Sequence, residues 1–280
     1  MPANDSSYKL SEQENSRIYY DLIEPGLLAN AGSRKQVSPR LIMLGGQPGS
    51  GKTSRLRAPA EDELKNEGGF IGIDADDMRA FHPNAAALRQ QDDLIAASHT
   101  QADAVAWVNH AIETAIHARC HVVLDGTMSS PQSVMERIKR FEAEGYTIEV
   151  RALAVNERQS WLNILRRYED EKSRRGAGRM TPCEVHDEAY DGLVKSLGQV
   201  AKQANVRVRI YGCDAELFDS ARQAATKKDA VSILRAERER EWTPAEREAF
   251  GRDLSDLVNV ATHRKAEPET LETYRRLAQN

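Results

Sequence analysis

The chain has 280 residues, of which 40% are hydrophobic and 29% charged, so it can bury a large core and is neither disordered nor fibrous. Lysine and arginine total 39 against 43 aspartate and glutamate, which gives a net charge of −4. A dedicated nucleic-acid-binding protein usually carries a basic surplus, so we expect no nucleic-acid partner.

The cysteine count and the lack of long apolar runs indicate the compartment. The three cysteines lie far apart and form no CxxC spacing, which argues against structural zinc and disulfides and fits a reducing environment. No apolar run is long enough for a membrane span, and the first residues lack a signal-peptide pattern. We therefore expect a cytoplasmic protein without a membrane partner.

The first predicted element is a helix over residues 11–23. Ser11 is its expected cap, with Glu14 three residues later as in a capping box, and Pro25 is expected to end it. A polar linker follows, so residues 1–38 form an N-terminal helix and linker.

Five short apolar runs then follow at the spacing of strand–helix alternation, and helical patterns lie between them. This order predicts an α/β fold, with a parallel five-stranded sheet flanked by helices. The last run, VRVRIY, alternates in polarity and is expected at the edge of the sheet. The predicted strands cover residues 41–44, 70–73, 122–124, 149–155 and 206–211.

The remainder of the chain reads as helical. We predict a core over residues 39–213, and a helical C-terminal extension over residues 214–280. Thr243 is the expected cap of one helix in this extension. Five arginines balance five glutamates over residues 235–252, a pattern typical of a solvated helix face.

The most informative motif is GQPGSGKT, which directly follows the first predicted strand and opens a helix. It matches the GxxxxGK[ST] phosphate loop, in which glycines let backbone N–H groups surround a phosphate. Lysine supplies charge to the β- and γ-phosphates of ATP, and the threonine hydroxyl binds Mg²⁺. The predicted ATP-binding loop consists of Gly46, Gln47, Pro48, Gly49, Ser50, Gly51, Lys52 and Thr53, with Thr53 as the magnesium ligand.

The class of nucleotide-binding protein depends on the residues after the third predicted strand. A GTPase should have DxxG there, but Met128 stands at the position of the glycine of that motif. AAA-type ATPases carry paired acids at this point, whereas Asp125 is followed by glycine. Small-molecule kinases fit better, because they have acidic residues near two strand ends and an arginine-rich lid.

Acidic residues follow two of the predicted strands, where ligands of such sheets bind. Asp74, Asp76 and Asp77 come after residues 70–73, and Asp125 comes after the third strand. One acid would orient and deprotonate a substrate hydroxyl, and another would hold Mg²⁺ or substrate. The residue types alone leave open which acid has which role. Asp74 and Asp77 could equally cap a helix or lie exposed to solvent without a catalytic role.

Five arginines between residues 166 and 180 predict a lid over this site. Arginine pairs clamp a transferring phosphoryl group by neutralising charge on its oxygens. We assign Arg167 and Arg179 to such a clamp, and we expect Arg174 and Arg175 to lie on the surface.

Taken together, these motifs resemble the zeta toxin family, the kinase halves of bacterial epsilon–zeta toxin–antitoxin systems. They occur in family order and cover roughly residues 40 to 190. The motifs are Leu44–Ser54, Ile73–Arg79, His82–Asn84, Leu124–Thr127, Gly145-Tyr146, Arg167–Glu169, Arg179–Pro182 and His186-Asp187.

The resemblance implies a P-loop kinase fold that transfers the ATP γ-phosphate to the 3′-hydroxyl of UDP-N-acetylglucosamine. It implies Asp76 as the general base, Arg167 and Arg179 as γ-phosphate contacts, and Thr127 as a substrate contact. Lys52 and Thr53 match the ATP and Mg²⁺ residues. No antitoxin-like domain is evident in the chain, so a separate small helical antitoxin is expected as the partner.

The sequence departs from the family pattern in the expected substrate pocket. Asp125 and Asn109 stand where the family has substrate-binding glutamates, and Met128-Ser129 replaces a Gly-Arg pair. The catalytic and ATP-binding residues match, so we predict a kinase. A different acceptor, such as a nucleoside, a dinucleotide or an antibiotic, stays open, as does a non-catalytic ATP-binding switch.

Overall fold

The computed structural model describes residues 8–32, 35–94, 96–222 and 229–277. Its centre is a six-stranded sheet in the order β2-β3-β1-β4-β5-β6, and all neighbouring strands are parallel except β5 and β6. The predicted α/β class and the five predicted strands are confirmed. The strands are β1 (Arg40–Gly45), β2 (Phe70–Asp74), β3 (His121–Asp125), β4 (Thr147–Leu153), β5 (Val206–Tyr211) and β6 (Glu216–Asp219).

The count of five strands is wrong, because a short sixth strand lies where the pattern after Gly212 reads as helical. β6 runs antiparallel to β5, so β5 is not an edge strand either. The polar residues that make VRVRIY alternate have partners within the sheet. Arg207 pairs with Asp219 of β6 at 2.7 Å, and Arg209 pairs with Glu216.

One face of the sheet carries most of the core. Leu41 and Met43 of β1 point to this face, and the fully buried Trp107 is part of the same cluster. Ile42 and Leu44 point to the other face, as the two-residue period of a strand requires. The helices that pack on the first face include α7 (Gln101–Ala118), α8 (Pro131–Ala143) and α10 (Cys183–Val200), and α3 (Ala58–Asn66) covers the second.

The N-terminal helix is longer than predicted. Ser11 caps α1 (Glu12–Ile18) as expected, but a π-helical turn and then α2 (Glu24–Ala29) continue the helix past Pro25. Proline is tolerated there because it lies in the first turn of α2, where a backbone N–H need not be paired.

Shorter helical segments connect the strands on the β2 side. They are α4 (Ala75–Met78), a 3₁₀ turn (Arg79–Phe81), α5 (Ala85–Gln91) and α6 (Ala96–His99). Within the described residues, no helix has the length and apolar character needed to cross a membrane.

The C-terminal helices form a third core against α9 (Glu157–Arg175). Leu162 and Leu165 of α9 contact Phe250 and Leu254 there. Thr243 caps its helix with a capping box, as predicted. The C-terminal helices of this core are α12 (Pro244–His263) and α13 (Pro268–Arg276), whereas α11 (Ala230–Glu239), which precedes them, packs into the main core.

The charged segment 235–252 is not a uniformly solvated face, which corrects the prediction from its balanced charges. Arg238 is only 2% exposed, and its guanidinium lies 3.9 Å from the centre of the Tyr190 ring. The pattern of alternating charges could not reveal this, because the burial depends on how α11 packs against α10.

A glycine in α10 tests the close contact between this helix and the loop after β3. A Cβ at Gly192 would lie 2.1 Å from the Ser129 carbonyl oxygen, whereas a Cβ at Gly198 would have its nearest neighbour at 3.9 Å. We expect Gly192→Ala to lower the free energy of unfolding by about 1–3 kcal/mol through overpacking. Gly198→Ala, the control on the same helix, should raise it by up to about 1 kcal/mol. Urea denaturation measures both, and equal effects of the two variants would contradict the contact.

Candidate active site

The phosphate loop follows β1 at the carboxyl edge of the sheet. Gly49 and Gly51 have φ angles of +77° and +87°, in the left-handed region that favours glycine. A Cβ on Gly49 would lie 2.0 Å from the carbonyl oxygen of Ser160, so no other residue fits there. The helical turn that begins at Thr53 follows directly, as the motif requires.

The loop is held from behind by buried hydrogen bonds. The Gln47 side chain is fully buried and donates to the Val155 carbonyl at 2.9 Å and to Ser160 Oγ at 3.2 Å. Asn163 donates to the Gly49 carbonyl at 2.8 Å. These contacts tie the loop to the end of β4 and to α9 and so hold its backbone in place.

Lys52 and Asp125 face each other across the mouth of the loop. Lys52 Nζ donates to the Gly46 carbonyl at 2.9 Å and lies 4.0 Å from Asp125 Oδ1. Burial raises the pKa of Asp125, and the charge of Lys52 opposes that shift. Among the described residues, Asp125 Oδ1 and Ser50 Oγ are buried without a hydrogen-bond partner. Oxygen atoms of this kind suit a hydrated divalent cation. Thr53, the predicted magnesium ligand, follows Lys52 directly and is exposed.

Asp74 and Asp77 have structural partners. Asp74 accepts a hydrogen bond from the Asp76 backbone N–H at 2.8 Å and so caps α4, which agrees with the capping role considered from the sequence. Arg57 donates to Asp74 at 2.8 Å and to Asp77 at 2.7 Å. Burial, together with repulsion from Asp125 and Asp76, raises the pKa of Asp74 to about 6.

Asp76 is the acid of this cluster that reaches toward the lid. Its side chain is 45% exposed, and its two carboxylate oxygens accept hydrogen bonds from Arg79 and, at 3.0 Å, from Arg179. The structure therefore brings two of the candidate catalytic residues, Asp76 and Arg179, into direct contact.

The arginine-rich segment occupies the end of α9 and the loop after it. Arg167 donates to Thr181 Oγ1 at 3.3 Å, and burial together with the nearby charge of Arg179 lowers the pKa of Arg167. Its Nε atom is buried without a partner among the described residues. Arg174 is 73% exposed and pairs with Asp170, one turn earlier on the same helix.

Asp93 anchors this loop and was missed by sequence reasoning. It accepts hydrogen bonds from the Gly178 backbone N–H at 2.9 Å and from Tyr168 at 3.2 Å, and it pairs with Lys172 at 2.9 Å. Asp93 lies between two short helices without a motif around it, so the sequence offers no signal for this contact.

The expected substrate residues lie in two places. Thr127 donates to Ser129 Oγ at 3.2 Å in the loop between β3 and α8, and Ser196 of α10 holds the Met128 carbonyl at 2.6 Å. Asn109 lies exposed on α7. Within residues 8–32, 35–94, 96–222 and 229–277, no hydrogen bond joins Asn109 to the other candidate residues.

Comparison with known proteins gives a consistent match. The family model described as "Zeta toxin" matches residues 28–239. The toxin PezT of Streptococcus pneumoniae serotype 4 is 26% identical over 220 residues, which cover 78% of this chain and 85% of PezT.

Two solved structures share the fold. One, from the PezAT chromosomal toxin–antitoxin system of Streptococcus pneumoniae, has a TM-score of 0.75 at 23% identity and is covered over 98% of its length by 89% of this chain. Another, AvrRxo1-ORF1:-ORF2 with ATP, has a TM-score of 0.52 at 14% identity, with 96% of this chain matched to 83% of that one.

The raised pKa of Asp74 predicts a pH dependence of stability. Its folded-state pKa, about 6, lies above the reference value of 3.8, so the folded protein holds a proton that the unfolded chain releases in this window. The stability that Asp74 confers should therefore fall by roughly 2 kcal/mol as pH rises from about 4 to about 6. Denaturation of wild type and Asp74→Asn measures this, because asparagine keeps the cap but does not titrate. We expect the free energy of unfolding of wild type, minus that of Asp74→Asn, to fall as pH rises. A value of this difference that stays constant or increases with pH would contradict the prediction.

Proposed function

Since the chain belongs to the zeta toxin family, we propose that it is a toxin kinase that transfers the γ-phosphate of ATP to a hydroxyl of a nucleotide sugar. The acceptor we propose is the 3′-hydroxyl of UDP-N-acetylglucosamine, a precursor of the cell wall. The observation that carries the proposal is the position of Asp76, an exposed carboxylate between two arginines, at the same edge of the sheet as the phosphate loop.

ATP binding is supported by the loop and by its orphaned polar atoms. Backbone N–H groups of residues 46–53 would surround the β-phosphate, and Lys52 would neutralise the β- and γ-phosphates. A structure with the same fold was solved with ATP. Thr53 and Asp125 fit Mg²⁺, which in phosphoryl transfer neutralises charge on the β- and γ-phosphate oxygens.

The proposed transfer is a single displacement. Asp76 takes the proton of the acceptor hydroxyl while that oxygen forms a bond to the γ-phosphorus, and the bond from the γ-phosphorus to the ADP oxygen breaks. Arg79 holds the second oxygen of Asp76 and so orients the base.

Arg167 and Arg179 would neutralise the charge on the transferring group. Arg179 pairs with Asp76 at 3.0 Å, and a γ-phosphate would compete with that carboxylate for the guanidinium. When the Arg179 guanidinium moves from Asp76 to the γ-phosphate, one oxygen of Asp76 becomes free for the acceptor hydroxyl. ATP binding and activation of the base are therefore coupled. A switch protein would need no hydroxyl base, so Asp76 favours the enzyme over that alternative.

The acceptor is proposed from the family resemblance. Thr127, two residues after the end of β3, would contact it, and Asp125 at the end of β3 would face it from the magnesium site. A second candidate is a kinase with another hydroxyl acceptor, which is favoured by Asn109 and Ser129 in place of charged family residues. Incubation with ATP, Mg²⁺ and one acceptor at a time, followed by mass spectrometry, distinguishes the two.

The proposed partner is a separate small helical antitoxin. The relative from Streptococcus pneumoniae is described as part of a toxin–antitoxin system, which supports this proposal. Purification of the chain together with the product of the neighbouring gene would test it.

The proposed base makes a quantitative prediction. Asp76→Asn should lower the turnover of UDP-N-acetylglucosamine by roughly 10²–10⁴-fold, because the amide cannot accept the hydroxyl proton, while ADP affinity changes little. Asp77→Asn is the matched control, since Asp77 is 64% exposed and pairs with Arg57. Turnover by mass spectrometry and ADP binding by calorimetry are the measurements. If Asp77→Asn or Asp74→Asn is the severe variant, the assignment of the base is wrong.

The arginine clamp makes a second prediction. Arg167→Lys and Arg179→Lys should each relieve growth arrest when the chain is induced without its antitoxin, because lysine keeps the charge but loses the planar fork that meets two phosphate oxygens. Arg174→Lys, at an exposed position on the same helix as Arg167, should stay toxic. Growth curves at matched protein levels measure the effect. Equal toxicity of all three variants would exclude the clamp.

A further inference from the structure

Arg238 reaches the phosphate loop from the C-terminal helices. Its Nη2 donates to Gln47 Oε1 at 2.8 Å, and its Nη1 donates to the Tyr190 carbonyl at 2.8 Å. The guanidinium also lies over the Tyr190 ring, and Asn156 holds the Arg238 carbonyl at 2.9 Å. Three contacts therefore hold this side chain, and the fourth holds its backbone.

The contact completes the hydrogen bonding of Gln47. The two Gln47 Nε2 bonds go to Val155 and Ser160, and Arg238 supplies the donor for the Oε1 atom. Because Gln47 is fully buried, the loss of that donor would leave its carbonyl oxygen unpaired away from water. Gln47 is the second residue of the phosphate loop, so its side-chain position sets the position of the loop backbone.

A buried, charged side chain such as that of Arg238 is unusual at a position that serves packing alone. Among the described residues, no carboxylate lies within ion-pair distance of Arg238, and the charges of Asp191 and Glu157 act on it only from farther away. Burial lowers its pKa to about 10, so it stays charged at neutral pH. A buried charge without a direct ion-pair partner is costly, and hydrophobic side chains fill such sites more favourably.

We infer that Arg238 is a positioning residue for nucleotide binding, which acts through Gln47 to hold the phosphate loop in its binding shape. The C-terminal helix α11 thereby becomes part of the nucleotide site without touching the nucleotide. This inference rests on the proposed ATP-binding role of the loop, and it extends that role to a helix that carries no nucleotide-binding motif.

The test compares Arg238, which is buried on α11, with Arg158, a partly buried arginine of α9 that contacts the C-terminal helices. Arg238→Met should raise the dissociation constant for ADP, measured by calorimetry, about tenfold, which is the scale of one charge-assisted hydrogen bond. Arg158→Met is the matched control. Arg158 lies over the Trp242 and Phe250 rings and donates to the Leu277 carbonyl, so its loss should lower the thermal stability while ADP affinity stays within about twofold.

A double-mutant cycle tests whether Arg238 acts through Gln47. In a Gln47→Ala background, Arg238→Met should have no further effect on ADP affinity. If Arg238→Met fails to fold, Arg238→Lys replaces it, because lysine cannot reach both the Gln47 and the Tyr190 oxygen, and a weaker loss of affinity is expected.

The outcomes separate this inference from the proposed function. Wild-type protein that binds ADP, together with an Arg238 variant that binds equally well, overturns the inference alone. An affinity loss that Arg158→Met shares, or one that persists in the Gln47→Ala background, also overturns it. Wild-type protein that binds neither ADP nor ATP overturns the proposed function and the inference with it.

Discussion

The parallel pairing of β2, β3 and β1 is the constraint on which the rest of the site depends. Its register aligns Leu44 with Asp125 and Asp125 with Asp74, so three strand ends reach the same edge. The phosphate loop can leave β1 only at this edge, and Lys52 therefore meets the acids of the neighbouring strands. A change of register by one residue would turn the acids to the other face and dismantle the site.

The carboxylates at this edge of the sheet are neutralised only by several basic side chains acting together. Four carboxylates gather within two strand ends, and their mutual repulsion and burial would weaken the fold if Arg57, Arg79 and Arg179 did not pair with three of them. The acid without an arginine partner, Asp125, faces Lys52 instead. Such a cluster favours ligands that carry both phosphate and a divalent cation, since these offer each set of charges a partner.

The sequence predicted those parts of the molecule that depend on local pattern. The strands β1 to β5 and the phosphate loop follow from apolar runs and glycine spacing, and the structure contains them. The short strand β6, with four residues, has no periodicity to detect, and its existence depends on pairing with β5. Asp93 and Arg238 act over 85 and 191 residues of sequence separation, to Gly178 and Gln47 respectively, so only the packed chain brings these pairs together.

The fate of the γ-phosphate shows directly whether the protein is a kinase of UDP-N-acetylglucosamine. Purified protein is incubated with γ-labelled ATP, Mg²⁺ and UDP-N-acetylglucosamine, with Lys52→Ala as the blank, and the product is located by phosphorus–proton NMR. We expect label on the sugar 3′-hydroxyl with wild type, and none with Lys52→Ala, which lacks the charge at the β- and γ-phosphates. Unlabelled sugar nucleotide after complete turnover of ATP, or equal transfer by the Lys52 variant, would contradict that expectation.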